Sequence, residues 1–404
     1  MAGLREDFLW GASTSPHQVE GNNVNADWWA LENAPDSPLP DRSGDANDSY
    51  HRYAQDMGLL AEAGLNSYRF GFEWARIEPA EGQFSLAERD HYRRMVDTAL
   101  ELGLKPVVTL QHFTLPRWFA ESGGWKRPDA AELFARYIEF VAPALRDVEW
   151  VCTINEPNML AVFASVQDTV MQMMGALDAD DPEQKAKMAA ALGHVSPDQE
   201  LGEILAQVHR RAVDTVRRTT NAKVGWTVAQ QAFTPTPGNE DVFERVHRTW
   251  EGFYLEAARG DDFVGVQAYT SQPVEADGPV PHPAHPDNTL TGWAYRPDAL
   301  GIALRRAWDE AGGIPLLVTE NGIATDDDTR RIAYTAEALG HLEEAVADGI
   351  DVRGYLHWSA LDNYEWGRWA PTFGLIAVDR ETFVRTPKPS LAWLGACARR
   401  GGLK

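Results

Sequence analysis

The chain has 404 residues, 44% of them apolar and 15 of them Trp, and its 60 acidic against 37 basic residues leave a formal net charge of −23. So acidic a balance argues against nucleic acid or an anionic membrane as partner, since both need a basic face. The length admits two or three domains by count, but single α/β barrels commonly run this long.

In chain order, the opening Met1-Ala2-Gly3-Leu4-Arg5-Glu6-Asp7-Phe8 is charged at once and has no signal-like apolar core, so the expected location is cytoplasmic. Residues 8–14 read as a strand with small residues at its exit, ahead of Pro16-His17-Gln18-Val19-Glu20-Gly21. Residues 25–40 read as a polar, Pro-containing loop. Residues 50–63 have helical spacing and stop at Gly64, a C-cap signal. Residues 66–74 form a second strand carrying Arg69, residues 89–103 an amphipathic helix, and residues 105–110 a Val-rich strand leading into Gln111-His112-Phe113-Thr114. A helix over 130–145 precedes a buried strand, 149–154, which Pro157 ends because it cannot donate to a ladder. Further on come a helix (205–218), a fifth strand (222–230), a sixth (263–270) and a seventh (315–319). The eighth, 351–357, runs into Trp358-Ser359-Ala360-Leu361-Asp362-Asn363-Tyr364-Glu365-Trp366, and a last helix covers 389–399. Asp326–Asp328 read as a solvated run and helix N-cap. No membrane-length apolar run or linker interrupts the series, and Cys152 and Cys397 read as buried thiols of a reducing compartment. Eight strand–helix repeats predict a single (β/α)8 TIM barrel spanning 1–404.

Two carboxylates stand where a buried strand stops, Glu156 and Glu320, and in such barrels that rim carries the chemistry. A carboxylate there is costly to hold unless chemistry or a partner needs it. A pair of them is what retaining glycoside hydrolysis uses, one as acid then base and one as nucleophile, roughly 5–5.5 Å apart. The motifs Thr153-Ile154-Asn155-Glu156-Pro157 and Thr319-Glu320-Asn321-Gly322 closely resemble those of glycoside hydrolase family 1, the retaining β-glucosidase family.

The resemblance implies that Glu156 is the acid/base and Glu320 the nucleophile. It implies that Arg69 keeps the nucleophile ionised, that Tyr269 bonds it, and that Asn155 meets the sugar's 2-hydroxyl. Gln18, His112, Trp358, Glu365 and Trp366 would hold the sugar, an aromatic face with amide and carboxylate partners for its hydroxyls. No metal and no organic cofactor is implied; His282 and His285 lie in a Pro-rich loop without nearby carboxylate or Cys ligands. Against the family pattern, His17 replaces a Tyr, Phe113 a Trp, Thr114 an Asp, Gln267 an Asn, Ala268 a Tyr and Thr372 an Arg. No phosphate-binding set follows Trp366, which disfavours 6-phosphosugars. The Met-rich stretch from Met159 through Met171, Met173 and Met174 suggests an apolar leaving-group site.

The expected activity is an exo-acting β-glycosidase, foremost a β-glucosidase, on terminal non-reducing residues of a small β-glycoside or oligosaccharide. A β-galactosidase or β-fucosidase preference or a transglycosylase remains open on the same site. A non-catalytic sugar-binding barrel is disfavoured because both Glu are present, and a metal-dependent hydrolase because no ligand cluster is.

Overall fold

The computed structural model describes residues 3–174 and 195–403, the side chains of 167–174 excepted. Eight strands form a closed barrel: β1 Leu9–Ser13, β2 Ser67–Gly71, β3 Lys105–Thr109, β4 Trp150–Asn155, β5 Lys223–Ala229, β6 Val264–Gln267, β7 Leu316–Asn321 and β8 Val352–Trp358. Each pairs in parallel with its chain neighbours, and β8 closes onto β1 from Leu9↔Gly354 to Ser13↔Trp358. Strands covered on both faces need apolar side chains on both. Leu9, Val107, Trp150, Phe263, Leu317 and Leu356 accordingly fill the interior. Their chain neighbours, such as Trp10 and Tyr355, join the larger core under the helices.

The principal outer helices are α1 Ser49–Ala63, α2 Leu86–Glu101, α3 Ala130–Val141, α4 Gln199–Thr219, α5 Phe253–Ala257, α6 Ala299–Glu310, α7 Asp328–Ala347 and α8 Pro389–Arg400. The barrel and its element order follow the expectation. Gly64 ends α1 at φ 99°, a left-handed position that suits Gly. Three local readings need correction. α2 starts earlier than residue 89, because the Ser85 hydroxyl accepts the Glu88 N–H as a cap. The stretch 25–40 holds a short helix, Asp27–Glu32, entered where Asp27 Oδ1 accepts from Trp28 N and Leu115 N. Asp327 caps α7 as expected, but Asp328 is only partly exposed. It pairs with Arg331 at 2.5 Å and accepts from Ser390 N and Oγ, tying α7 to α8.

Cys152 and Cys397 are free and buried. Among the described residues no helix is long and apolar enough to cross a membrane.

Gly322 follows the β7 carboxylate just past the end of β7, against the end of β8. A Cβ there would stand 2.0 Å from the Trp358 carbonyl oxygen. Gly322→Ala must therefore push the two strand ends apart. Its melting temperature should fall by about 2–5 °C; an unchanged melt would show that the ends yield freely.

Candidate active site

β4 and β7 both break register just before their carboxylate. The β4–β5 pairing shifts between Cys152 and Asn155, and the β7–β6 pairing shifts between Val318 and Glu320. Such irregularities re-aim side chains, and here they turn Glu156 and Glu320 into one cavity of about 530 Å³. Glu156 sits at φ 46°, and Phe113 and Trp366, also on the cavity wall, at 66° and 46°. Left-handed backbone at a non-Gly residue costs roughly 1–3 kcal/mol, so the surrounding packing must impose it.

Arg69 lies wholly buried on the floor. Its Nη1 donates to Glu320 Oε1 at 2.6 Å, its Nη2 to Asn155 Oδ1 at 2.5 Å and its Nε to Thr109 Oγ1 at 2.9 Å. One guanidinium thus ties β2, β3, β4 and β7. Gln267 Nε2 donates to both Asn155 Oδ1 and Glu320 Oε1, each at 2.9 Å, and Tyr269 Oη donates to Glu320 Oε2 at 2.5 Å. Glu320 therefore accepts from three side chains. Glu156 accepts from none among the described residues.

The electrostatics follow that asymmetry. Burial lifts the Glu156 carboxyl well above the usual range, and the negative Glu320 lifts it further. Burial also leaves Glu320 above its ordinary value, although Arg69 and Tyr269, which Glu156 lacks as hydrogen-bond donors, work against the rise. Burial and then Arg69 hold His112 far below its ordinary value, so the ring is neutral. Its Nε2 faces the Asn155 amide nitrogen at 3.2 Å, which assigns the proton to Nδ1, a buried donor with no partner in the protein.

On the far side, Trp358 Nε1 and Gln18 Nε2 each donate to Glu365 at 3.2 Å, while burial pushes that carboxyl up to about 8. Trp366 is edged by Trp28 and Phe113 at 4.9 and 5.0 Å between ring centroids.

His112, Glu156, Tyr269, Glu320, Trp358, Glu365 and Trp366 thus share the cavity wall. Arg69, Asn155 and Gln18 stand behind it. Gln18 is fully engaged: Oε1 accepts from Ser15 Oγ at 2.6 Å, and Nε2 also meets Asn363 and the Tyr364 carbonyl. Met159 and Phe163 reach the wall; the side chains of Met171, Met173 and Met174 lie outside the described residues. Sequence reasoning missed Gln230 and Trp293, which also line it. Gln230 follows the fifth strand and could have been found by position alone. Trp293 comes from a loop without a motif. No three His, Cys, Asp or Glu side chains among the described residues converge as a metal would require.

A closed (β/α)8 barrel with two carboxyls of opposed environment in one aromatic-walled cavity is the architecture of a barrel glycoside hydrolase. The glycosyl hydrolase family 1 model matches residues 1–270 and 260–403, and the chain belongs to that family. It is 31% identical to thermostable beta-glucosidase B of Thermobispora bispora, over 99% of this chain and 91% of that one. The crystal structure of beta-glycosidase BGL167 superposes with TM-score 0.86 at 43% identity, covering 99% and 98% of the two chains. The beta-glucosidase of Thermotoga maritima in complex with glucoimidazole does so at 0.86 and 27% identity, covering 99% and 100%.

Behind the wall, Glu251 in the π-helical turn Arg248–Gly252 accepts from Gln231 N at 2.7 Å. His247 lies between Glu251 and Glu310. Burial alone would lower His247, but the two carboxylates beside it outweigh that and raise the imidazole to about 9. The folded value exceeds the unfolded one of about 6.5. The triad's stabilisation is therefore complete below that pH and fades as pH rises through about 9. Melting temperature should fall between pH 7 and 10, and less steeply in His247→Gln. An equal fall in both would place the alkaline loss elsewhere.

Proposed function

We propose that the protein is a retaining, exo-acting β-glycosidase, foremost a β-glucosidase, working as one barrel domain over residues 1–404. The observation that carries this reading is the unequal treatment of two carboxyls in one cavity. Glu320 has a cation and two neutral donors; Glu156 has burial and a negative neighbour. A carboxylate held ionised is a nucleophile, and a carboxyl held protonated is an acid.

Glu320 attacks the anomeric carbon while Glu156 gives its proton to the glycosidic oxygen, and the leaving alcohol departs. Glu320 is then esterified and its negative charge is gone, so Glu156 can hold charge and serve as base. It takes a proton from water, which displaces Glu320 from the opposite face, and the sugar leaves with its configuration retained. Asn155, its amide oxygen fixed by Arg69, Thr227 and Gln267, offers Nδ2 toward the 2-hydroxyl. His112 Nδ1 supplies a further donor, and Trp358, Trp366 and Glu365 clasp the distal half of the ring. The names of the Thermobispora and Thermotoga relatives support glucose as first choice. The free buried thiols support a reducing, cytoplasmic setting.

A panel of p-nitrophenyl β-glycosides tests the class and ranks glucose against galactose and fucose. Wild type should turn over the β-glucoside, and Glu320→Ala should lose nearly all of that activity. Azide should restore Glu156→Ala as a β-glycosyl azide and Glu320→Ala as an α-glycosyl azide, because each cavity opens on the opposite face of the sugar. Initial release of the α-sugar by wild type would overturn retention.

Tyr269→Phe removes one donor from Glu320 and so raises its pKa. The acidic limb of kcat/KM should move up by roughly one pH unit, with kcat lower by about 10²-fold. An unmoved limb would show that Tyr269 does not tune the nucleophile.

A further inference from the structure

Gln230 stands out among the cavity residues because neither end of its amide is satisfied. The residue is 2% exposed, and both Oε1 and Nε2 are buried without a hydrogen-bond partner. Its backbone is held firmly. Gln230 N donates to the Gln267 carbonyl at 2.7 Å, and the preceding Ala229 is gripped through N–H and C=O by the Asn158 amide. A firmly anchored residue whose side chain keeps an unused donor and an unused acceptor is a ready reader of something that enters.

Its place decides what that is. Gln230 directly follows β5, the strand paired with β4 through Asn155↔Thr227, and the Glu156 N–H donates to the Thr227 carbonyl at 2.9 Å. It therefore lies on the side of the acid, toward which the leaving group departs. The glycone clamp of Trp358, Glu365 and Trp366 comes from the end of β8 and the loop after it. There Glu365 is bonded by Gln18 and Trp358. The same cavity is also lined by apolar Met159, Phe163, Leu290 and Trp293, beside the polar Gln231 and Thr291. Among the described residues the amide has no partner for either atom. A leaving group that fills the space must either match it or strand both atoms.

We propose that Gln230 reads the leaving group, and that the enzyme selects leaving groups with adjacent hydroxyls, a second sugar, over bare aryl or alkyl alcohols. One amide both donates and accepts, which fits two neighbouring hydroxyls, while the apolar residues cover the carbon face of the ring. A site built to bond hydroxyls rejects a ligand lacking them far more strongly than an apolar site rejects a polar one. The proposal rests on the β-glycosidase reading and narrows its substrate class. It adds a polar reader to the apolar leaving-group site expected from the Met-rich stretch.

The test compares wild type with Gln230→Met, which keeps length and volume and removes the hydrogen-bonding atoms. The substrates are a β-linked glucose disaccharide, its analogue deoxygenated on the leaving sugar, and p-nitrophenyl β-glucoside. kcat/KM of the variant should drop roughly ten- to a hundredfold on the disaccharide and less than about threefold on the aryl glucoside. Wild type alone should lose a similar factor on the deoxygenated disaccharide, a measurement that needs no variant to fold. With 2,4-dinitrophenyl β-glucoside, whose excellent leaving group makes the second chemical step limiting, kcat should not change. Equal losses on all substrates would overturn the proposal and make Gln230 a support for Glu156. No loss on the disaccharide would overturn it outright. Wild type inert on every β-glycoside would instead overturn the glycosidase reading, and this one with it.

Discussion

The arrangement of the cavity depends on one buried cation. Arg69 has no exposed surface, and a guanidinium so placed is tolerable only when its donors are met. Here Glu320, Asn155 and Thr109 meet three of them, each from a different strand. The charge therefore does structural and chemical work through the same bonds. It fixes the depth of β2, β3, β4 and β7 relative to one another, and it sets Glu320 apart from Glu156. Removing it would leave a buried carboxylate without a counter-charge, which costs more than the pair itself contributes.

From that cation outward the site divides by how far its polar groups are satisfied. Asn155 Oδ1 accepts from Arg69, Thr227 and Gln267, and Glu365 accepts from Gln18 and Trp358. These are networks whose geometry is set before a ligand arrives, which is how binding energy comes to favour a transition state. Among the described residues that line the cavity, the buried polar atoms without a partner are His112 Nδ1, Gln267 Oε1 and both ends of Gln230. All three residues border the cavity. Buried polar atoms left open inside an otherwise satisfied network mark where the ligand completes it.

Much of this could be read from the chain before it was folded. Alternating strands and helices, with two carboxylates at strand ends, predicted the barrel and put Glu156 and Glu320 on one rim, because period and position depend on local residues. The details that needed the fold are those set by distant neighbours. The register breaks ahead of both carboxylates depend on β5 and β6, not on β4 and β7 alone. The helix Asp27–Glu32 forms because Asp27 also accepts from Leu115 N, 88 residues away in the chain. The partners of Gln18 show only in the fold, where its amide meets Ser15, Asn363, Tyr364 and Glu365. A motif names a residue type at a position, and only packing decides whether that side chain lines the cavity or supports the one that does.

The departures from the family pattern show the same division. Thr372 replaces a common Arg, but its hydroxyl bonds the Thr325 carbonyl and its own carbonyl accepts from Arg331, so it lies outside the cavity. Phe113 replaces a Trp and keeps contact by its edge on Trp366, so the platform survives while the indole donor is lost. Gln267 is the departure with chemical content. One methylene longer than Asn, it spans from the β6 end to both Asn155 and Glu320, adding a neutral donor to the carboxylate that Arg69 already holds. A neutral donor stabilises the anion less than a second cation would. It fixes the orientation of Glu320 without adding a second charge beside it, and so keeps the charge balance between the two carboxyls.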